Sequence, residues 1–545
     1  MAAGCLLGIL CFVFIYGIKI INPLYDSWIF YGDNDLKQHY VGFCHLRNAA
    51  WSFPIGIIRS LSVPYDMSVI YTDSIPLFAL IFKVFSGVLP VHFQYFGLFG
   101  LMSFALMGGT SAILIRRFTE RLEVCLAGSI LFIVSIPLLH RMFYHTALTA
   151  QWIIIIALIF WFYIDINDKN NVKKLCIIWA LMGAICVSIH SYYVFMTGII
   201  LGIQILEGII KERKLQIKHV LPVVAFGLSV IVSLWLLGGF YGAGEVTTGG
   251  FSDFNGNLNC LINPMDYSRF FGELPFNGMF EYEGFGYIGF GVILLLIAAL
   301  VSFVRELVSE KSDGKSIKEF VKAKISVRKV FVLLTVVISV ILTCFPNFSF
   351  NDKLLFRVPL PGPVKQLLGV CRTNGRFVWI ALYVVILCAI YFVCKHYDKT
   401  WIRVLFFAAI IIQLFEFSGK LSETHNRYNA EYSYYTVWDD MDRLKFFDGK
   451  EELLFMYEGG DLMMDAGFFT YTHDMNMNYF YYARPIYETL NEKVAESYAE
   501  FMNSNINDNY VYLFKDEQYT DELKNVIEKN GLTEYYFDGH FIVTK

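Results

Sequence analysis

Charge is scarce in this sequence. Only 17% of its 545 residues are Asp, Glu, Lys or Arg, against roughly 25% in a soluble domain. With 56% of residues hydrophobic and a mean hydropathy of +0.50, a water-soluble core cannot hide the apolar surface, so lipid must cover much of it. There is no basic excess either. The net charge is -4, which excludes a nucleic-acid partner as the expectation. The 11 cysteines form no CxxC pair and no Cys/His cluster. Many, such as Cys5, Cys11, Cys176, Cys186, Cys388 and Cys394, sit inside apolar runs. Neither a disulfide framework nor structural zinc is expected. No P-loop, dinucleotide fingerprint or internal repeat is present. The apolar run 2–18 lacks the Lys/Arg-rich start and small-x-small cleavage site of a signal peptide, and reads as an uncleaved first span.

What is present is a series of apolar runs. A span needs about twenty mostly apolar residues. Runs at 3–20, 93–114, 123–139, 147–164, 175–190, 192–209, 220–238, 287–304, 329–345, 374–394 and 401–418 predict about 11 transmembrane helices. The run 175–209 is split because His190-Ser191-Tyr192 interrupts it. With the N-terminus cytoplasmic, the short connections 115–122, 165–174, 210–219, 305–328 and 395–400 collect the Lys and Arg residues, as the positive-inside rule requires. An odd span count then places the C-terminus outside. The apolar stretch 75–89, with Lys83, Gly87 and flanking Pro76 and Pro90, reads as a short interfacial helix.

Three outer loops are long: 21–92, 239–286 and 346–373. Loops of this length tend to be functional. Residues 419–545 are polar, with strand-like runs at 452–457, 510–514, 534–536 and 541–543, and a helix at 521–529 closed by Gly531. Asp538-Gly539 between the last two runs is a turn signal. The fold class expected is therefore a polytopic α-helical membrane domain, 1–418, followed by a small extracytoplasmic α/β domain, 419–545.

The chemistry-bearing residues gather in the outer loops. In Gly32-Asp33-Asn34-Asp35-Leu36-Lys37-Gln38-His39-Tyr40, helical spacing puts Asp35, Gln38 and His39 on one face. A carboxylate there suits proton removal from a hydroxyl, with Gln38 or His39 orienting it; the same Asp also suits a helix cap. Asp73, in Thr72-Asp73-Ser74-Ile75-Pro76, reads as a helix cap or as a second carboxylate of the same cavity. His140, Arg141, His145 and Gln151 lie between two spans and suggest a polar cavity. His190 reads as a satisfied core histidine. Glu283 lies in a Gly-rich segment before a span, placed for sugar hydroxyls or a cation. In the third loop, Arg357 precedes a Pro-rich step. Arg372 and Arg376 then oppose the positive end of a helix dipole, a conflict that a bound phosphate resolves.

Several stretches resemble a known superfamily: Asp35-Leu-Lys-Gln-His-Tyr-Val-Gly, Trp51-Ser-Phe-Pro, Thr72-Asp-Ser-Ile-Pro-Leu, Phe93-Gln-Tyr-Phe-Gly, Tyr282-Glu-Gly-Phe-Gly-Tyr-Ile-Gly, Arg372-Thr-Asn-Gly-Arg-Phe and Tyr482-Ala-Arg-Pro. Together with the loop order, they resemble GT-C membrane glycosyltransferases, and more closely a bacterial membrane-protein family assigned to that superfamily. The resemblance implies sugar transfer from a polyprenyl-phosphate donor to a cell-envelope acceptor at the outer membrane face, and the mechanism expected is inverting transfer. Asp35 and Asp73 are then the catalytic carboxylates, and Gln38, His39, His140, His145, Gln151, Glu283, Arg357, Arg372 and Arg376 bind substrate. A divalent metal (Mg or Mn) at Asp35 is implied too, but Asp33 and Asp35 are split by Asn34 where the superfamily often carries a paired acid. The alternatives from other classes are a transporter or flippase of a lipid-linked glycan and a noncatalytic envelope-assembly scaffold.

Overall fold

The structure is a computed structural model that describes residues 1–545 except 33, 242–250, 313–323, 444, 460–461 and 484–485. Asp33, Arg484-Pro485 and parts of the second outer loop and of the connection 305–328 therefore lie outside the described residues. Among the described residues, nine helices are long and apolar enough to cross a membrane. They comprise α5 (Phe96–Arg116), α8 (Trp152–Tyr163, with the turn before it), α9 (Val172–Ile189), α10 (Tyr192–Glu212), α11 (Ile217–Leu237), α12 (Phe290–Ser312), α13 (Val327–Cys344), α15 (Val378–His396, with the turn before it) and α16 (Lys399–Asn429). Two predicted spans are shorter apolar helices: α1 (Ala2–Tyr16) and α6 (Leu122–Ile133). At 1.5 Å per residue, α1 is roughly 22 Å long, short of a ~30 Å hydrocarbon layer. The run 123–139 breaks at Val134, where Ser135-Ile136-Pro137 starts the separate helix α7 (Ile136–Arg141).

The split at His190 is real: α9 ends at Ile189, His190 is extended, and α10 starts at Tyr192. α1 lies tight against α5 because its Gly4-x-x-x-Gly8 step removes side chains from the contact. A Cβ on Gly8 would come within 2.0 Å of the Phe104 carbonyl oxygen, and one on Gly4 within 2.4 Å of the Gly108 carbonyl oxygen. Close backbone approach of this kind is how small residues join helices where no hydrophobic force separates lipid from side chain.

The first loop is mostly helix: α2 (Ser27–Phe30), α3 (Asn34–Asn48) and α4 (Pro76–Val84), with a two-residue ladder between β1 (Ile57–Ile58) and β2 (Met67–Ser68). α4 has nine residues, too few to span. The third loop holds the hairpin of β3 (Asn347–Phe350) and β4 (Lys353–Arg357), then the short helix α14 (Gly362–Leu368).

α16 runs on to Asn429, past residue 418. The C-terminal part then forms a five-stranded sheet in the order β6-β5-β7-β9-β8, from β5 (Glu452–Phe455), β6 (Asn476–Met477), β7 (Tyr510–Lys515), β8 (Thr533–Phe537) and β9 (His540–Thr544). β6-β5-β7 are parallel and β7-β9-β8 antiparallel. Asp538 and Gly539 both adopt positive φ in the β8–β9 turn, the backbone that a tight hairpin demands. Side chains alternate across the sheet. Tyr512 and Phe514 pack under the helix carrying Leu523 and Ile527, while Val511 and Leu513 join the core continuous with the membrane domain. Backbone bonds from Val63 to Met477 (3.0 Å) and from Met477 to Ser60 (2.8 Å) tie the first loop to the β6 edge.

Candidate functional site

Five acidic residues of the first loop have separate fates. Asp26 accepts from Tyr40 (2.7 Å) and His92 (2.9 Å). Asp66 pairs with Arg59 at 3.4 Å. Asp33 is not described. Asp35 and Asp73 both turn to the membrane helices, and each meets a histidine there.

Asp35 stands in the first turn of α3. Its Oδ2 lies 3.0 Å from Nε2 of His145, with both side chains about a quarter exposed (28% and 25%). His145 sits in the bend between α7 and α8, where Phe143 has a positive φ. Burial, then Arg376 and Arg141 nearby, hold its imidazole well below the usual histidine range. A neutral ring facing a carboxylate presents its N–H, so Nε2 carries the proton and Nδ1 is a lone pair. That Nδ1 is sealed and has no hydrogen-bond partner among the described residues. His39, one turn along α3, places its ring 6.2 Å from that of His145. Both of its nitrogens are likewise buried without a partner among the described residues, and burial lowers its pKa to about 3.

Asp73 is presented by a strained turn. Its φ is 51° and that of Ile75 is 53°, a conformation costly for a β-branched residue. The turn is bolted to α3: Ser74 Oγ donates to the His39 carbonyl at 2.6 Å and meets Thr72 Oγ1 at 2.8 Å, while Tyr95 donates to the Ser74 carbonyl. Gly42 permits the contact, since a Cβ there would lie 2.4 Å from Thr72 Oγ1. Strain held this firmly is characteristic of functional turns. Asp73 does not cap α4; Ile75 occupies that position. Asp73 Oδ1 instead lies 3.5 Å from Nε2 of His190. His190 Nδ1 accepts from the Tyr192 amide at 3.2 Å, which leaves Nε2 to face the carboxylate.

A third carboxylate is shared by two guanidiniums. Glu283 Oε2 is 2.6 Å from Arg141 Nη2 and 2.9 Å from Arg376 Nε, all three side chains at most 7% exposed. Burial would raise the Glu283 pKa, but Arg141 and Arg376 overcome it and hold it at about 2. Bare glycine backbones bring these loops together: a Cβ on Gly284 would sit 2.4 Å from Gly256 Cα, and one on Gly375 2.7 Å from the Gly284 nitrogen. Arg376 also lies over the Tyr192 ring at 4.8 Å, and the Tyr192 hydroxyl accepts from the Thr373 amide at 2.6 Å. The Glu283–Arg376 unit thus abuts the His190–Asp73 pair.

Other expectations need correction. Arg372 and Arg376 do not share a helix face. Thr373 breaks the chain between one short turn and the next, and the dipole conflict at Arg376 is answered by Glu283. Arg372 stands over the Phe254 ring at 4.7 Å. Its Nε is buried without a partner, and no carboxylate pairs with it among the described residues. Gln38 turns away from Asp35: its amide donates to the carbonyls of Tyr71 (3.3 Å) and Tyr481 (3.1 Å). Gln151 is buried in the bundle, accepting from Tyr383, whose hydroxyl also meets Ser135 at 3.0 Å. His140 lies in a box of Tyr144, Tyr267 and Phe285. Arg357 is exposed on β4 and makes no ion pair among the described residues. Among the described residues no three of His, Cys, Asp and Glu converge as metal ligands.

Arg141, expected in a polar cavity, joins the cluster through Glu283; His190 and Tyr192 complete it, and the site residues expected from sequence did not include these two. The broken span at His190-Ser191-Tyr192 was the available signal. Every member lies at one end of the helix bundle: the C-terminal end of α9, the N-terminal ends of α10 and α15, and the loops between. The opposite end carries Arg116, Lys173, Lys211 and Lys218.

No curated protein matches the chain. Residues 440–545 match the domain described as DUF6311 C-terminal domain. Residues 5–418 match the Domain of unknown function (DUF6311), a span that covers most of the chain, and the protein belongs to the DUF6311 family.

Proposed function

We propose that this chain is a GT-C type membrane glycosyltransferase, moving a sugar from a polyprenyl-phosphate-linked donor to a hydroxyl of a cell-envelope acceptor on the extracytoplasmic face. One observation carries the reading: Asp35, at 3.0 Å from His145, is gathered with Asp73, His190, Arg141 and Arg376 at one end of the bundle. Positive-inside charge assigns the opposite, basic end to the cytoplasm.

In this reading Asp35 takes the acceptor proton while the His145 N–H holds the carboxylate in place. The acceptor oxygen attacks the anomeric carbon, the bond to the phosphate oxygen breaks, and the polyprenyl phosphate leaves with that electron pair. Arg372, which no carboxylate neutralises among the described residues, stabilises the departing charge. Arg376 and Arg141 hold Glu283 and shape the site. The orphan nitrogens of His39 and His145 suit a ligand group that both donates and accepts, as a hydroxyl does and a carboxylate does not.

A transporter would place its polar groups on broken helices at mid-bilayer. Here they stand at helix ends and in loops, which favours an enzyme. The test is transfer from a radiolabelled polyprenyl-phosphate sugar by the purified full chain. Glycosylated acceptor from the native protein, and none from Asp35→Asn, is the expected result. Lipid translocation in liposomes without transfer overturns the reading in favour of a flippase.

A further inference from the structure

A second charged feature lies outside this cluster. Lys83, on α4, is 2% exposed, and its ammonium stands 4.7 Å from the centroid of the Trp51 ring. Among the described residues it has neither a hydrogen bond nor a carboxylate partner. Arg59 is close enough to act on it electrostatically, and Asp66 is already paired with Arg59. A lysine is almost never buried unless paired, so this cation is out of balance with the protein groups around it.

The surroundings say what would balance it. α4 exposes Leu77, Ile81 and Val84, and the turn after it exposes Phe85 and Val88, an apolar surface for acyl chains. Trp51 is 56% exposed, and indole rings favour headgroup depth. The segment after Trp51 joins the end of the apolar helix α11: Phe53 meets Trp235 at 4.7 Å and the Ile55 amide donates to Leu236 at 3.0 Å. Two cations, an indole and an apolar helix face thus meet at the end of a membrane span.

We propose that Lys83, Arg59 and Trp51 form a binding site for the phosphate of an anionic phospholipid headgroup, separate from the Asp35 cluster. Burial, with Arg59 beside it, lowers the Lys83 pKa to about 8, and a docked phosphate restores the ordinary value by supplying the missing anion.

The experiment uses the full chain in mild detergent and counts phosphatidylglycerol retained in native mass spectra. The native protein is expected to hold one phosphatidylglycerol about tenfold more tightly than Lys83→Met, the equivalent of one charge-assisted contact. Lys83→Arg should keep it. Equal retention by the native protein and Lys83→Met overturns the site. Equal retention of phosphatidylcholine, whose choline cancels its phosphate charge, shows that the site does not select a net anionic headgroup, and also overturns it. Displacement of the lipid by millimolar inorganic phosphate identifies a free-anion site and overturns the headgroup assignment. If Lys83→Met does not fold, Arg59→Gln, at a half-exposed position, gives the same comparison.

Discussion

Nε2 of His145 lies 3.0 Å from Oδ2 of Asp35, although more than a hundred positions separate them. The contact joins the first loop to the bend between α7 and α8. It also fixes the tautomer of His145, because a neutral ring has one N–H to give and the carboxylate claims it.

Asp35→Asn is expected to lower transfer by about 100-fold or more, the range of a lost general base, with normal expression and an unchanged melting curve. The amide keeps the size of the carboxylate and can still accept from His145, so the fold tolerates it. Full transfer by the variant removes Asp35 as the base.

Glu283→Gln is expected to destabilise the protein by about 3–5 kcal/mol, the cost of leaving buried charge uncompensated. Arg141 and Arg376 would then stand together without their carboxylate. Adding Arg141→Met should recover part of the loss, because one unpaired guanidinium is removed with it. The measurement is thermal unfolding of the single and double variants in detergent. A single variant as stable as the native protein contradicts the pairing.

Much of this was legible in the sequence, and the missing part has a physical cause. All eleven apolar runs fall on helices, because a run of about twenty apolar residues has few other uses. The break at 134–135 carries a local signal, Ser135 as N-cap with Pro137 in the first turn of α7, but the apolar residues on both sides make the run read as one span. The Asp-Gly turn of the β8–β9 hairpin was legible because it is local. Partner choice was not. Spacing places Gln38 beside Asp35 on α3, yet Gln38 serves two distant carbonyls, and His190 passed for a core residue although it faces Asp73. Those partners lie far away in the chain, and no periodicity encodes them.

Acid should weaken the fold through His39 before it reaches the carboxylates. Burial lowers its pKa from 6.5 to about 3, so the folded state binds the proton less readily than the unfolded chain. A depressed value means that stability is whole above pH 6.5 and drains as pH falls from there towards 3, by at most about 1.4 kcal/mol per pH unit for one group. Glu283, held at about 2 against an ordinary 4.5, adds its own loss below pH 4.5. Melting temperature measured between pH 7.5 and 4.5 should fall in the native protein and fall less in His39→Gln. Parallel curves would show that His39 does not carry the effect.

The two arginines of the Arg372-Thr-Asn-Gly-Arg376 turn should separate in kinetics. Arg376 is committed to Glu283 at 2.9 Å, so Arg376→Ala leaves a buried carboxylate short of a partner and should lower the melting temperature. Arg372 has an aromatic platform in Phe254 and no carboxylate among the described residues. Arg372→Ala should therefore leave the melting temperature within a degree or two and raise the KM for the polyprenyl-phosphate donor by about tenfold or more, as the loss of a charged hydrogen bond does. Arg372→Lys should recover little, because an ammonium lacks the planar fork that grips two phosphate oxygens and stacks on a ring. If Arg372→Ala binds donor normally while Arg376→Ala loses donor without losing stability, the roles are reversed, and the phosphate is held by the guanidinium that the structure pairs with Glu283.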